Sequence, residues 1–292
     1  MNDGRRDDFG ARRVADHVGS APMPMRSGST APRLYDQARD MGDSPIVGDQ
    51  VSWPPPSESA SLAHDEVHVW VASLDVGSAR IENLERTLTE DECKRAERFN
   101  FEKDRRHYIV ARARLRAILA RYLHIEPDEI RFCYSRNGKP LLADESRSHE
   151  VHFNVSHSHG MALYAITRGR EIGVDLEYFR KNVVDTARIA EQFFSTREVA
   201  MLRSLPTQMR ELAFFTCWTR KEAYIKAKGD GLSLALKSFD VSLTPGKPAA
   251  LLRTEGDPQE ASRWSLKELS PCSGYVAALA VEGHQWRLQC WR

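Results

Sequence analysis

Two carboxylates lie two residues apart in the segment IGVDLE, whose apolar and β-branched residues predict a β-strand. Alternate side chains of a strand share a face, so Asp175 and Glu177 point to one side of it. Val174 and Leu176 point to the other side, into a core. Two neighbouring acids repel each other unless a positive charge lies between them. A hard divalent cation such as Mg²⁺, which prefers oxygen ligands, would supply that charge; a strand with a solvated acidic face is the alternative.

A third carboxylate, Glu222, lies one helical turn before Lys226 in a segment that we predict to be a long helix. An ordinary surface ion pair is one interpretation of this spacing. The bulky neighbours Trp218 and Ile225 favour another, in which the carboxylate is a metal ligand or a general base. The ammonium group would then neutralise a leaving phosphate, as metal-assisted phosphate chemistry requires.

A serine and a histidine are adjacent in the segment FNVSHS, which precedes a predicted strand. Adjacent residues of a strand point to opposite faces, so Ser156 and His157 are badly placed to act as the nucleophile and base of a hydrolase. The histidine spacing in this region also matches no zinc-ligand pattern, and no cysteine lies among them; these residues are His149, His152, His157 and His159. We expect Ser156 and His157 to donate hydrogen bonds to a phosphate-bearing ligand, with a structural turn as the alternative.

The segment RNGKP indicates a turn, because Gly138 permits an unusual backbone angle and Pro140 makes the exit rigid. In a ligand site, Lys139 would meet a phosphate and the ring of Pro140 would lie against an adenine. An exposed hairpin is the other interpretation.

Basic residues are dense between positions 94 and 121, and some of them recur at helical spacing. Such a set can line a cleft for a polyphosphate or for an acidic protein partner. We do not expect a nucleic-acid partner, because no aromatic residues are interleaved and no known binding module is present. The basic residues are Lys94, Arg95, Arg98, Lys103, Arg105, Arg106, Arg112, Arg114, Arg116 and Arg121.

The chain of 292 residues has a formal net charge of +1, but this charge is unevenly distributed. Residues 1–66 contain seven Arg, no Lys and eleven Asp and Glu, so they carry a net charge of −4 and the remainder carries +5. They also contain seven of the fourteen prolines, and we predict a disordered N-terminal extension. We expect a cytoplasmic protein without a membrane partner, because no window is apolar enough for a membrane helix and the N-terminus lacks a secretory signal.

The same order of elements occurs twice in the remaining chain, at an offset of about 105 residues. Each copy has a strand, a capping box at a helix start, a long helix and a closing strand. The capping boxes are formed by Thr89 with Glu92 and by Ser195 with Glu198. The strands and long helices are predicted at 67–74, 104–122, 161–166, 172–177, 210–228 and 275–281. We predict an α+β fold of two similar lobes, residues 67–170 and 171–292, with the ligand site in the cleft between them.

Taken together and in this order, five motifs resemble those of the 4′-phosphopantetheinyl transferases of the surfactin-activating (Sfp) type. The motifs are GKP at 138–140, FNVSHS at 153–158, IGVDxE at 172–177, FSxxE at 194–198 and WxxKEAxxK at 218–226. The resemblance implies two fused copies of one α+β unit in a monomer, with coenzyme A and Mg²⁺ in the cleft between the copies.

The reaction that this resemblance implies is the transfer of 4′-phosphopantetheine from coenzyme A to a serine of an apo acyl or peptidyl carrier protein, with release of 3′,5′-ADP. The enzyme would thereby activate fatty-acid, polyketide or nonribosomal-peptide synthases, including those of secondary metabolism. Acidic helices are common in the carrier proteins of this family, which fits a basic docking surface. Which of these carriers is the partner stays open.

The resemblance also implies a role for each matching residue. Asp175, Glu177 and Glu222 match the magnesium ligands. Glu222 further matches the general base for the carrier serine, and Lys226 matches the lysine that assists departure of the ADP phosphate. The expected ligand contacts are Lys221 to phosphate, Lys139 and Pro140 to adenine, and Ser156, His157, Arg95, Arg98 and either Arg106 or His107 around the 3′-phosphate. One lysine position of the family pattern is Glu92 in this chain.

Two functions of other classes remain as alternatives at this point. One is a binding module with the same fold but no activity, and the other is a magnesium-dependent phosphohydrolase. The presence of both Glu222 and Lys226 argues against the inactive module, because binding alone does not require that pair.

Overall fold

The computed structural model describes residues 53–55, 61–143, 150–179, 185–229 and 234–292. Most of the predicted disordered extension, together with His149, lies outside these residues. Within the described part of the extension, Leu62 is buried against the core and Glu66 begins the first strand. Packing of the body therefore starts a few residues before position 67, where the sequence placed its boundary.

The described residues form eleven strands and six α-helices. The strands are β1 Glu66–Ser73, β2 Phe132–Tyr134, β3 Pro140–Leu142, β4 Val151–Ser158, β5 Met161–Arg168, β6 Ile172–Tyr178, β7 Phe239–Val241, β8 Leu251–Thr254, β9 Trp264–Leu269, β10 Tyr275–Glu282 and β11 Arg287–Trp291. The helices are α1 Ser78–Glu85, α2 Glu90–Ala96, α3 Glu102–Leu123, α4 Thr186–Phe193, α5 Thr196–Ser204 and α6 Thr207–Lys228. This arrangement confirms the predicted α+β class.

Both predicted capping boxes are present at helix starts. The side chain of Glu92 accepts a hydrogen bond from the backbone N–H of Thr89 at 3.0 Å. At α5, Glu198 accepts from the N–H of Ser195 at 2.9 Å, and the Ser195 hydroxyl accepts from the N–H of Glu198. Each box satisfies N–H groups that have no partner inside the helix. Helix α6 ends as predicted at Gly229, whose backbone is left-handed.

Two main sheets carry the fold, a four-stranded sheet in the order β11-β1-β5-β4 and a three-stranded sheet in the order β6-β10-β9. The predicted lobe boundary between residues 170 and 171 falls between these sheets. The last strand is an exception, because β11 pairs in parallel with β1. The C-terminal end of the chain therefore completes the sheet of the first lobe.

The two sheets pack against each other, and each long helix covers an outer face. Helix α3 packs on the first sheet through an apolar cluster that contains Ile109 and Leu119 of the helix and Trp70 and Tyr164 of the sheet. Helix α6 covers the second sheet, and a third apolar cluster joins the inner faces of both sheets. The third cluster includes Val67, Val69, Leu163, Val174, Leu176 and Leu279. Val174 and Leu176 thus point into a core, as the strand pattern predicted.

Helix α6 lies unusually close to β6 because of Gly173. A Cβ atom built on this glycine would overlap the carbonyl oxygen of Ala223 and the backbone nitrogen of Ala227. The absence of a side chain at this position lets the two backbones touch. This close approach places the residues of α6 around Ala223 beside the acids of β6.

Within the described residues, no helix is both long and apolar enough to cross a membrane.

Candidate active site

A buried ion pair lies at the junction of β4, β6 and α6. The ammonium nitrogen of Lys226 donates to Oδ1 of Asp175 at 2.6 Å, and both side chains are nearly inaccessible to solvent. Lys226 also donates to the hydroxyl of Ser156 at 3.0 Å. One carboxylate, one ammonium group and one hydroxyl from three different elements are therefore in direct contact.

Two further carboxylates act on the same site. Glu177 follows Asp175 on the same face of β6, and removal from water raises its pKa to about 8. The negative charges of Asp175 and Glu222 add to this rise, whereas the positive charge of Lys226 opposes it. Glu222 is fully buried on α6, one turn before Lys226. The three acids predicted from the sequence are thus brought within electrostatic reach of one another.

The donor set suits a hard divalent cation, although Lys226 supplies the positive charge among these acids. No three His, Cys, Asp or Glu side chains of the described residues form a ready-made ligand set around one point. Oδ2 of Asp175, however, is buried and makes no hydrogen bond with any described residue. A buried carboxylate oxygen without a hydrogen bond is costly. Because carboxylate oxygens are the ligands that Mg²⁺ prefers, the residues present fit such an ion.

Ser156 is held between the two lobes by several bonds at once. Its hydroxyl accepts from the backbone N–H of Leu176 at 3.2 Å and donates to Oδ1 of Asp175 at 3.1 Å. The adjacent His157 is half-buried on the opposite face of β4, which agrees with the strand geometry expected from the sequence. The contacts of Ser156 lie within the protein, so in this geometry the hydroxyl supports Asp175 and Lys226.

Two residues near Ser156 were missed by sequence reasoning. The side-chain oxygen of Asn154 accepts from the N–H of Val174 at 2.9 Å, and the Ser158 hydroxyl accepts from the N–H of Tyr178 at 3.1 Å. Ser158 also donates to Oε2 of Glu177 at 3.2 Å. The signal that could have found them is their period-two spacing with Ser156, which places all three on one face of a strand.

Lys221 lies apart from this group. It is completely buried, and its ammonium nitrogen lies 2.7 Å from the carbonyl of Leu236, 2.5 Å from that of Phe239 and 2.8 Å from the carboxylate of Glu198. These three partners use all the N–H groups of the side chain. The geometry therefore leaves none for the phosphate contact expected at Lys221. Instead, Lys221 ties α6 to the start of α5 and to β7.

The turn at residues 136–140 reaches from the first lobe to the second. Gly138 has the positive φ expected of such a turn, and Pro140 begins β3. The ammonium nitrogen of Lys139 lies 3.6 Å from the carboxylate of Glu171 and 3.5 Å from the carbonyl of Ile172, at the beginning of β6. Burial lowers the pKa of Lys139. Lys139 therefore lies beside the start of the strand that carries Asp175, where its backbone contact Ile172 is three residues before that acid.

A cleft of about 400 Å³ opens beside α3 and the end of β1. It is lined by Lys103, Arg106 and His107 together with Asp75, whose carboxylate lies 2.7 Å from Nε2 of His107. Arg106 donates to the carbonyl of Val76 at 3.2 Å. Glu102 also lines the cleft, so acidic and basic side chains meet there. Arg106 and His107, the two alternatives for a 3′-phosphate contact, both lie in it.

Arg95 and Arg98 do not line this cleft among the described residues. The guanidinium of Arg95 lies 5.2 Å from the centre of the Tyr134 ring, and Arg98 is exposed beyond the end of α2.

Glu92, at the departure from the family pattern, is the centre of a buried ion cluster. Its carboxylate lies 3.2 Å from Nε of Arg112 and 2.8 Å from Nη2 of Arg116. Both arginines are almost completely buried, so they join α3 to α2 and do not line a cleft, contrary to one expectation from their helical spacing. Arg105, the third member of that row, pairs with Glu85 at 2.7 Å.

Comparisons with known proteins point to one family. The family model described as the 4′-phosphopantetheinyl transferase superfamily matches residues 171–280, and the model described as the N-terminal part of 4′-phosphopantetheinyl transferase matches residues 77–168. The chain is 42% identical over 242 residues to the 4′-phosphopantetheinyl transferase HetI of Nostoc sp.. The aligned region covers 83% of this chain and 98% of the relative.

Two further relatives are more distant. The 4′-phosphopantetheinyl transferase Sfp of Bacillus subtilis is 30% identical over 156 residues, which cover 53% of this chain and 66% of the relative. The human L-aminoadipate-semialdehyde dehydrogenase-phosphopantetheinyl transferase is 26% identical over 208 residues, covering 67% of each chain.

Proposed function

The chain belongs to the 4′-phosphopantetheinyl transferase family, whose enzymes transfer phosphopantetheine from coenzyme A to carrier proteins, and we propose that it uses Mg²⁺ for this transfer. In this proposal the carboxylates of Asp175, Glu177 and Glu222 hold the ion. The observation that carries the proposal is the convergence of these acids beside Lys226 at one buried junction. The bound ion would neutralise negative charge on the pyrophosphate of coenzyme A.

The protein has two chemical tasks in this reaction: to accept a proton from the attacking hydroxyl and to stabilise the negative charge of the leaving phosphate. The hydroxyl oxygen of the carrier serine attacks the phosphorus that bears the pantetheine arm, and the carboxylate of Glu222 accepts the hydroxyl proton, directly or through a water. The phosphorus–oxygen bond to 3′,5′-ADP breaks and its electron pair leaves with the ADP phosphate. Lys226 donates a hydrogen bond to that leaving phosphate.

The remaining site residues bind coenzyme A in this proposal. Lys139 and Pro140 contact the adenine side, which is supported by the position of their turn at the start of β6. Arg106 and His107 contact the 3′-phosphate, which is supported by their position in the cleft beside α3. His157 remains a predicted contact of the same phosphate, and so do Arg95 and Arg98.

The partner and its surroundings are also part of the proposal. The residues after position 66 have a net charge of +5, which favours an acidic carrier protein of a fatty-acid, polyketide or nonribosomal-peptide synthase, including synthases of secondary metabolism. Both lobes of one chain contribute to the site, because Lys226 of the second lobe donates a hydrogen bond to Ser156 of the first, which supports action as a monomer. We further infer a cytoplasmic location, where carrier proteins and coenzyme A would be met.

The decisive experiment is incubation of the protein with an apo carrier protein, coenzyme A and Mg²⁺, followed by intact-mass measurement of the carrier. A mass gain equal to phosphopantetheine is expected, and it should disappear in Asp175→Ala and Glu222→Gln and when the metal is chelated. Full turnover in the chelated reaction or in both variants would overturn the proposed metal set. Hydrolysed coenzyme A with an unmodified carrier would instead indicate a phosphohydrolase.

A further inference from the structure

The edges of the two main sheets are joined by side chains, without a backbone ladder. Strand β4 is the edge of the first sheet, and β6 is the edge of the second. The two strands run in the same direction, because residues 154, 156 and 158 contact the N–H groups of residues 174, 176 and 178 in that order. An edge strand presents a row of unpaired backbone groups. Here three side-chain oxygens take the place of the carbonyls of a missing neighbour.

Two of these three side chains make a second bond that the third does not. The Ser156 hydroxyl donates to Asp175, and the Ser158 hydroxyl donates to Glu177. Each serine therefore accepts from the N–H of the residue that follows an acid and donates to the acid itself. Asn154 accepts from Val174 N–H, and the residue before Val174 is a glycine, so no carboxylate stands in the equivalent place.

The direction of each hydroxyl hydrogen is fixed by its other contacts. A serine hydroxyl has one hydrogen to donate and two lone pairs to accept with. In Ser156 the lone pairs receive the Leu176 N–H and the Lys226 ammonium, which leaves the hydrogen for Asp175. In Ser158 the Tyr178 N–H occupies an acceptor position, and the hydrogen is directed at Glu177. The backbone N–H groups of β6 thus orient the hydroxyls of Ser156 and Ser158. These hydroxyls in turn orient the carboxylates of Asp175 and Glu177.

We propose that Ser158 is a positioning residue for metal binding, whose hydroxyl holds the Glu177 carboxylate in one orientation, and that Ser156 does the same for Asp175. Asn154 joins the lobes at the same seam without contacting an acid. This inference rests on the proposed magnesium set. Ser158 is the cleaner residue to test, because Ser156 also contacts Lys226, which belongs to the proposed catalytic machinery.

Loss of a group that orients a ligating carboxylate typically weakens metal binding about 10-fold to 100-fold. Loss of an interlobe bond alone weakens the fold and leaves the affinity of an intact site unchanged. Ser158→Ala and Asn154→Ala each remove one acceptor for a β6 N–H, so they form a matched pair. Only Ser158→Ala also removes a donor to a carboxylate.

The test is a titration of the full chain with Mn²⁺ at saturating coenzyme A, with free Mn²⁺ measured by electron paramagnetic resonance. Manganese is the probe because it takes the same oxygen ligands as magnesium. We expect Ser158→Ala to raise the dissociation constant about tenfold or more. Asn154→Ala should stay within about twofold of wild type, and Ser158→Thr, which keeps the hydroxyl, should restore most of the affinity.

The outcomes separate this inference from the function on which it rests. If wild type binds Mn²⁺ but Ser158→Ala and Asn154→Ala change its affinity equally, Ser158 only joins the lobes and the inference is overturned. If wild type has no saturable site, the proposed metal set itself fails. Thermal unfolding verifies the fold of each variant. Should Ser158→Ala not fold, Ser158→Cys, with its weaker donor, is read in its place and must still weaken binding more than Asn154→Ala does.

Discussion

The ammonium group of Lys226 lies 2.6 Å from the carboxylate of Asp175, across the boundary between α6 and β6. These residues are 51 positions apart, and Gly173 lets their two backbones approach closely enough for the pair to form. Both members of the pair belong to the proposed catalytic machinery. The protein therefore supplies a positive charge of its own among these acids.

Replacement of Lys226 by Met should destabilise the metal-free protein by about 3 kcal/mol, because it leaves the Asp175 charge buried without its partner. Added Mg²⁺ should recover part of this loss, since the ion supplies the missing charge. Transfer activity should fall in either condition. The measurement is chemical unfolding with and without Mg²⁺. Lys228→Met is the control, because Lys228 pairs with Glu260 away from these acids; an equal magnesium effect in both variants would count against this interpretation.

Replacement of Lys221 by Met should lower stability and leave coenzyme A binding intact. All three N–H groups of Lys221 have partners inside the protein. The substitution therefore leaves the buried carboxylate of Glu198 without its cationic partner. We expect a loss of about 3 kcal/mol in the free energy of unfolding. Steady-state kinetics on the folded fraction should give an unchanged KM for coenzyme A. A large rise in KM with an intact fold would return Lys221 to the phosphate contacts predicted from the sequence.

Gly173→Ala should disrupt the contact between β6 and α6. The added Cβ would overlap backbone atoms of the helix, which cannot move aside as a flexible side chain can. Overpacking of this kind costs about 3 kcal/mol, and the displaced helix should also lose transfer activity. Gly77→Ala serves as a comparison, because no atom lies within 4 Å of the added Cβ there. If unfolding curves place both variants equally close to wild type, the close approach is not required.

Acidification should destabilise the protein through His68. Burial lowers the pKa of this histidine below its ordinary value of 6.5, although the carboxylate of Glu66 opposes the shift. Above 6.5 the folded and unfolded chains are both neutral at this position, whereas below it the unfolded chain takes up a proton that the folded chain resists. Stability therefore falls as the pH drops below 6.5.

His68→Gln removes this titration, and its unfolding free energy should depend less on pH than that of wild type. Urea unfolding at about pH 7.5 and about pH 5.5 measures the two slopes. Identical slopes would show that His68 does not contribute to acid sensitivity.

Local signals predicted much of the fold. The capping boxes of α2 and α5, the long helices and the left-handed end at Gly229 each depend on residues within a few positions of one another. Pairing between distant segments could not be predicted from such local signals. The parallel contact of β11 with β1 joins residues about 220 positions apart, and nothing in the short apolar run of β11 specifies its partner.

The candidate site was likewise predictable only where local periodicity places its residues. The strand period placed Asp175 and Glu177 on one face, and the helical period placed Glu222 beside Lys226. Lys221 was grouped with them because it lies in the same motif. Five helical positions correspond to about 140° of rotation, so Lys221 and Lys226 point in very different directions from α6.

By itself, the sequence determined the element types, the face of each element that carries the acids, and the family to which the chain belongs. Only the tertiary structure decided which groups these side chains meet. It directed Lys226 to Asp175, Lys221 to Glu198, and the hydroxyls of Ser156 and Ser158 to the two carboxylates of β6. The physical reason is that periodicity and capping arise from short-range backbone geometry, whereas hydrogen-bond partners depend on the packing of segments distant in the chain.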